Sequence, residues 1–137
     1  MKTILTSLPN LVLPDGYLEV TAVTYTRREC HLEFRLGEKE YLLVFPDTVA
    51  FRVMDERELT EFYSRNIEYS LLIQGSVVFL VEAGGWRGQN ANLDSGIKDG
   101  YFGNGKVAEY LVPSDYECLS IISAAPELKE ITHDTDR

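Results

Sequence analysis

The chain has 137 residues, 45% of them hydrophobic, and carries 13 lysines and arginines against 22 aspartates and glutamates. The formal net charge of −9 argues against duplex nucleic acid as a ligand, because phosphate binding needs clustered cations. The length predicts one domain over residues 1–137, and the apolar content excludes a disordered acidic tail.

The first sixteen residues are predicted to form an irregular segment. Residues 1–9 hold a short apolar stretch interrupted by Thr and Ser, whereas a signal peptide needs about 7–15 continuous apolar residues. The longest apolar run, Val77–Val81, is far shorter than the ~20 residues of a membrane span. We therefore expect a cytoplasmic protein with no membrane partner, in which Cys30 and Cys118 are free thiols.

Residues 17–53 read as strands. Apolar and polar residues alternate from Cys30 to Leu36, and the turn at Gly37 leads into another apolar run, so 30–45 is predicted to be a hairpin. Upstream the apolar positions change phase at Ala22, which predicts a β-bulge there. After the break at residues 46–48, the alternation resumes over 49–53.

Asp55 offers the best helix start in the chain. Glu58 lies at capping-box spacing from it, and three apolar residues, Leu59, Phe62 and Tyr63, share one helical face. We expect one short helix of about three turns, packed on the sheet by this face.

The second half of the chain reads as strands around a glycine-rich segment. Residues 69–82 are strand-like, with a bulge or turn at Gln74-Gly75. Seven of the ten glycines lie in 84–105, which predicts a long surface loop. Residues 106–112 form a further strand, and 116–123 fits a strand better than a helix. The end of the chain, 126–137, is predicted to be a frayed polar tail.

These elements predict an α+β fold that is mainly antiparallel. Six to eight strands would form a curved sheet or partial barrel with one short helix packed on it.

No constellation of residues supports a metal, cofactor or catalytic site. Asn90, Asn92 and Asp94 are spaced like calcium ligands, but the positions that require Gly and Glu hold Ser and Tyr. Cys30 and His31 are adjacent on a strand and point to opposite faces, so they cannot form a dyad. The segment 103–106 matches no phosphate-binding loop.

The glycine-rich segment instead carries aromatic and acidic side chains suited to protein binding. Tyr101 and Phe102 are expected to be exposed, whereas Trp86 is equally suited to exposure and to covering the sheet edge. The candidate partner-binding residues are Trp86, Asp94, Asp99, Tyr101 and Phe102, with Glu56 and Glu58 as a second patch.

The order of segments resembles a known class of small proteins. A hairpin is followed by residues 51–56 leading into a short helix, a strand, a variable loop, and then residues 108–122 with Pro126-Glu127 after them. Over residues 20–128 this pattern resembles small β-rich bacterial immunity-type proteins of polymorphic toxin systems. The resemblance implies a cytoplasmic protein that binds and blocks a cognate toxin and catalyses nothing itself.

The composition is compatible with that function. An acidic inhibitor would be attracted to the basic cleft of a nuclease toxin and would imitate its substrate. An alternative is a domain, binding or enzymatic, that holds a small ligand, with the 84–105 loop as a lid and Arg35 or Arg52 as an inward cation. A third possibility is a homodimer formed through an exposed edge strand.

Overall fold

The computed structural model describes residues 2–14, 18–55, 67–102, 105–114 and 117–132. The strands of this part of the chain are β1 (Thr3–Ser7), β2 (Leu18–Thr26), β3 (Glu29–Leu36), β4 (Lys39–Phe45), β5 (Ala50–Asp55), β6 (Ile67–Leu71), β7 (Phe79–Ala83), β8 (Ala108–Pro113), β9 (Glu117–Ser123) and β10 (Glu127–Ile131). The helices are α1 (Gly85–Gln89) and α2 (Ala91–Lys98). The predicted fold class, α+β and mainly antiparallel, is confirmed.

The strands are divided between two sheets. One has six strands in the order β5-β9-β8-β7-β1-β6, and the other has four in the order β10-β4-β3-β2. The pairing of β1 with β6 is parallel, and the other pairings in the described residues are antiparallel. Neither sheet closes into a barrel within the described residues, which is consistent with the curved sheet among the predicted forms.

The main core lies between the two sheets. Phe34 and Leu43 from the four-stranded sheet share it with Leu119 and Ile121 from the six-stranded sheet, and all four side chains are buried. A ring contact of 6.2 Å between Phe45 and Tyr110 crosses the same space. The opposite face of the six-stranded sheet carries a smaller apolar cluster, comprising Leu5, Phe79, Val81, Leu111 and Cys118.

The local predictions for the four-stranded sheet are confirmed. Strands β3 and β4 form the hairpin predicted over 30–45. In the β2–β3 pair the register shifts between Val20 and Ala22, so the predicted bulge is present at that point. The extra residue brings Val23 and Tyr25 opposite Leu32 and Cys30.

Both ends of the chain are more regular than predicted. The irregular segment expected over 1–16 contains β1, whose inward side chains include the polar Thr3 and Ser7, so hydrophobic alternation did not reveal it. The tail expected to fray over 126–137 contains β10, which pairs along its length with β4 and packs Leu128 against the core. The strand favoured for 116–123 is confirmed as β9.

The surface loop predicted over 84–105 is wrong, because this segment contains both described helices. Asn90 supplies the N-cap of α2, and its side-chain oxygen accepts the backbone N–H groups of Asn92 at 3.0 Å and Leu93 at 3.2 Å. The described glycines occupy different places: Gly84 precedes α1, Gly85 and Gly88 lie in α1, Gly96 lies in α2 and Gly100 follows it. The helix predicted after Asp55 lies in residues 56–66, outside the described residues.

Candidate functional site

The helical arm, which we define as residues 84–102, is fixed to the six-stranded sheet by the first turn of α1. Thr3 Oγ1 accepts the backbone N–H of Gly85 at 2.9 Å. The carboxylate of Glu109, on β8, accepts the backbone N–H of Trp86 at 2.9 Å and of Arg87 at 2.8 Å. A helix start leaves such N–H groups without partners in the helix itself, so these contacts hold the arm in one position on the sheet.

Two glycines allow this close approach. Gly84 and Gly85 have φ angles of +73° and +58°, a region that L side chains rarely adopt. A Cβ on Gly85 would lie 2.5 Å from Glu109 Oε2, and one on Gly84 would lie 2.5 Å from the carbonyl oxygen of Lys2. Larger residues at either position would push the arm away from the sheet.

Glu109 is fully buried, and its environment acts on its charge in two directions. Burial raises the pKa of the carboxyl group above its ordinary range. The N–H groups of Arg87 and Trp86, and the charges of Arg52 and Arg87, oppose that rise. A buried acid that receives two backbone N–H groups is suited to holding structure in place, since both oxygens are already engaged.

A second set of charges holds the two helices of the arm together. Arg87 is buried, and its Nε donates to Asp94 Oδ1 at 2.7 Å. Lys98, one turn after Asp94 on α2, contacts the other carboxylate oxygen at 2.9 Å. Hydrogen bonds from Lys98 and Arg87 lower the pKa of Asp94 below its ordinary range. Asp94 is therefore an internal link between α1 and α2.

Trp86 contacts the six-stranded sheet through a cation–π interaction with Arg52. The guanidinium carbon of Arg52, on β5, lies 4.7 Å from the centre of the indole ring. Arg52 Nη1 also contacts Gln89 Oε1 at 3.4 Å, so both ends of α1 approach β5. Trp86 is half-buried as a result, which is closer to the sheet-covering alternative than to full exposure.

The end of the arm presents one aromatic side chain to solvent. The Phe102 ring lies directly on Gly96, where any Cβ would overlap it, and is half-buried. The Gly96 carbonyl accepts the N–H of Tyr101 at 2.9 Å and of Phe102 at 3.3 Å. Tyr101 is 83% exposed, and its ring meets the edge of Phe102 with the centroids 5.8 Å apart. The tip is thus a hydrogen-bonded turn that carries an exposed tyrosine.

The candidate binding residues therefore have different roles. Tyr101 and Asp99 face solvent, as a binding surface requires. Asp94, Trp86 and Phe102 make contacts within the arm or with the sheet. The second patch, Glu56 and Glu58, lies outside the described residues.

The residues that fix the arm were missed by the sequence analysis, although Glu109 leaves a trace. It is a lone acid in a strand whose neighbours on both faces, among them Ala108, Tyr110 and Leu111, are apolar. Such a charge predicts a buried polar contact. Its partners are backbone groups of a distant segment, and no residue type encodes them.

The structure gives little support to a nucleophilic cysteine, to Arg35 as an inward cation or to a metal site. Burial raises the pKa of Cys30 to about 11 and of Cys118 to about 12, so both thiols are protonated at neutral pH and poorly nucleophilic. Arg35, one of the two cations considered for an inward ligand site, is exposed and contacts Glu40 at 3.6 Å. In the ranges that the structure describes, no group of three or more His, Cys, Asp or Glu side chains is arranged to hold a metal ion.

Neither described helix is long and apolar enough to cross a membrane. No protein-family model matches the chain, and no curated protein or solved structure shows significant similarity to it.

Proposed function

We propose that this protein is a non-catalytic binding module of the inhibitor or immunity type, which docks on a basic partner protein through the tip of the helical arm. The observation that carries the proposal is Tyr101, a large side chain that lies almost fully exposed on a hydrogen-bonded turn. Tyrosine supplies a large contact area at little cost in rotamer entropy, and is enriched among residues that dominate binding energy.

The construction of the arm supports this role. The carboxylate of Glu109 fixes the start of α1, and Asp94 joins α1 to α2 through Arg87. A surface that is already ordered loses less entropy on binding than a mobile loop. The arm therefore presents its tip in one conformation before any partner arrives.

Charge favours a basic partner. The chain carries −9, and Asp99 lies exposed beside the tyrosine tip. Complementary charge would accelerate association and make it dependent on salt. A nuclease toxin with a basic substrate cleft is the kind of partner that fits this description.

The test is a binding measurement between the purified protein and the product of the adjacent reading frame, at low and high salt. We expect a stoichiometric complex that weakens with salt, and a loss of affinity of roughly 30-fold or more for Tyr101→Ala. Tyr69→Ala is the matched control, because Tyr69 is an exposed tyrosine on the edge strand β6. A complex unaffected by salt and by Tyr101→Ala would refute the proposed surface.

A further inference from the structure

The turn between β2 and β3 has an unusual composition for its geometry. Thr26 pairs with Glu29, so only Arg27 and Arg28 form the turn, and their φ angles are +49° and +65°. Two-residue hairpin turns with positive φ at both positions strongly favour Asn-Gly, because other side chains are strained there. Two arginines at such positions cost stability, and strain of this kind is concentrated at functional sites.

The rest of the protein holds this turn against the start of β5. The backbone N–H of Thr48 donates to the carbonyl of Arg28 at 2.7 Å. The hydroxyl of Thr48, which is buried, donates to the carbonyl of Phe45 at 2.8 Å and accepts the N–H of Cys30 at 3.2 Å. The arginine turn is thus held next to Thr48, which precedes Val49 and β5 in the chain.

An exposed apolar strip runs from this turn along β5. Tyr25, on β2, stacks on Phe51 of β5 with ring centroids 5.4 Å apart. Val49 and Val53 flank Phe51 at alternate positions and are 40% and 47% exposed. Strand β5 is also the edge of its sheet, with β9 as its one strand partner among the described residues.

The two arginines stand out electrostatically in this acidic chain. The ion pairs found among the described residues do not include Arg27 or Arg28, although Lys2, Arg35, Lys39, Arg87 and Lys98 each pair with an acid. The nearest acid in sequence, Glu29, contacts His31 at 3.1 Å instead. Asp47 is exposed near the turn, so the cationic surface is confined to the arginine pair itself.

We propose that the arginine turn and the apolar strip together form a second docking surface, which we call the Arg27–Val53 surface, for an extended protein segment bearing carboxylates and alternate apolar side chains. Such a segment would lie along the edge of β5 that has no strand partner among the described residues, with its apolar side chains over Val49 and Val53. Its carboxylates would meet the guanidinium groups, which bind carboxylates in paired geometry. This surface uses different residues from the tip at Tyr101, and the inference does not rest on the function proposed above.

The test is a titration of the isotope-labelled full chain, followed by NMR, with two synthetic octapeptides. One alternates glutamate with valine, and the other alternates lysine with valine. We expect the glutamate peptide to shift the amide signals of residues 23–28 and 49–55, and to bind at least tenfold more tightly than the lysine peptide.

The decisive variant is the double substitution Arg27→Asn with Arg28→Gly. It removes both charges but supplies the residues that the turn geometry prefers, so we expect it to fold, and its unfolding curve separates a loss of binding from a loss of structure. We expect it to weaken binding of the glutamate peptide about tenfold, whereas Arg27→Lys with Arg28→Lys, which keeps both charges but loses the paired geometry, should give an intermediate affinity.

Three results would overturn the inference. The first is equal binding, or no binding, of the two peptides. The second is a set of shifted signals elsewhere, such as at Tyr69 and Leu71 on β6. The third is a lipid result. If wild type binds phosphatidylserine vesicles more tightly than the Asn-Gly variant does, and neither peptide binds, the arginines belong to a lipid-binding surface instead.

Discussion

Glu109 Oε1 lies 2.8 Å from the backbone nitrogen of Arg87, and this contact joins the central part of the six-stranded sheet to the first turn of α1. Strand β8 lies inside the six-stranded sheet, between β9 and β7. Its position is therefore set by the core, and the arm takes its position from β8. The same arginine then passes the constraint to α2 through Asp94. This chain of contacts connects the arm that carries Tyr101 to the core.

Replacement of Glu109 tests the first link. Glu109→Leu keeps a similar volume but leaves two backbone N–H groups without their acceptor, and we expect the free energy of unfolding to fall by about 2–4 kcal/mol. Glu109→Gln keeps one acceptor oxygen and removes a costly buried charge, so its loss is expected to be about 1 kcal/mol. Urea denaturation of both variants measures the difference. A leucine variant as stable as the wild type would show that these bonds contribute nothing net.

The pH dependence of stability separates the two carboxylates of the arm. Burial raises the pKa of Glu109 above 4.5, so its contribution to stability is complete below that value and is lost as the pH rises through the folded-state pKa. Hydrogen bonds from Lys98 and Arg87 lower the pKa of Asp94 below 3.8, so its contribution is complete above that value and is lost as the pH falls through the lowered pKa.

We therefore expect opposite trends when each carboxylate is removed. As the pH falls from 7 toward 4.5, wild type should gain stability relative to Glu109→Gln and stay constant relative to Asp94→Asn. Below pH 3.8 the advantage of wild type over Asp94→Asn should decrease. Denaturation at a series of pH values gives both curves, and parallel curves for the two variants would contradict the assigned environments.

The strands could be predicted because their burial follows their alternation. Cys30, Leu32 and Phe34 face the core and His31 does not, which is what a period of two dictates. Strand β1 follows the same geometry with Thr3 and Ser7 as inward residues, so its hydrophobic pattern is weak although its burial pattern is regular. Hydrophobic alternation did not predict β1 because two of its three buried residues are polar.

The helical arm could not be predicted from glycine density, because the glycines there serve different local purposes. Gly85 admits the carboxylate of Glu109, and Gly96 admits the ring of Phe102. Each glycine makes room for a side chain from further along the chain, and composition alone does not distinguish this need from flexibility. Asn90 is of a residue type that favours helix starts, but the segment holds several such residues, and so this signal did not single out the start of α2.

The link between the two helices is expected to depend mainly on Arg87. The side chain of Arg87 is 9% exposed and that of Lys98 is 65% exposed, although both contact Asp94. Asp94→Asn leaves a buried cation without its counter-charge, at an expected cost of about 1–3 kcal/mol given the partial exposure of the pair. Lys98→Met removes only the exposed partner and should cost less than about 1 kcal/mol. Equal losses in chemical denaturation would show that burial of Arg87 does not matter.

The packing of Phe102 on Gly96 can be tested by a double-mutant cycle. Gly96→Ala places a methyl group where the ring now lies, so we expect it to displace Phe102 and destabilise the protein by about 1–3 kcal/mol. In that background Phe102→Ala should cost little, because the contact is already lost. Additive losses in denaturant unfolding would show that the two positions are independent. In the binding measurement, Gly96→Ala should also weaken the complex through the altered position of Tyr101.

The strained turn makes the last prediction, and it concerns stability alone. Replacing Arg27 by Asn and Arg28 by Gly supplies the residues that tolerate φ angles of +49° and +65°. We expect the free energy of unfolding to rise by about 1 kcal/mol, since the relieved strain exceeds the added chain entropy of one glycine in the unfolded state. Arg27→Lys with Arg28→Lys is the control, because lysine is strained in the same way and should leave stability unchanged. Thermal and urea unfolding of the two variants decide the matter: a less stable Asn-Gly variant would mean that the arginines stabilise the turn. A more stable Asn-Gly variant would show that Arg27 and Arg28 lower the stability of the wild-type protein, as is expected of residues that serve binding.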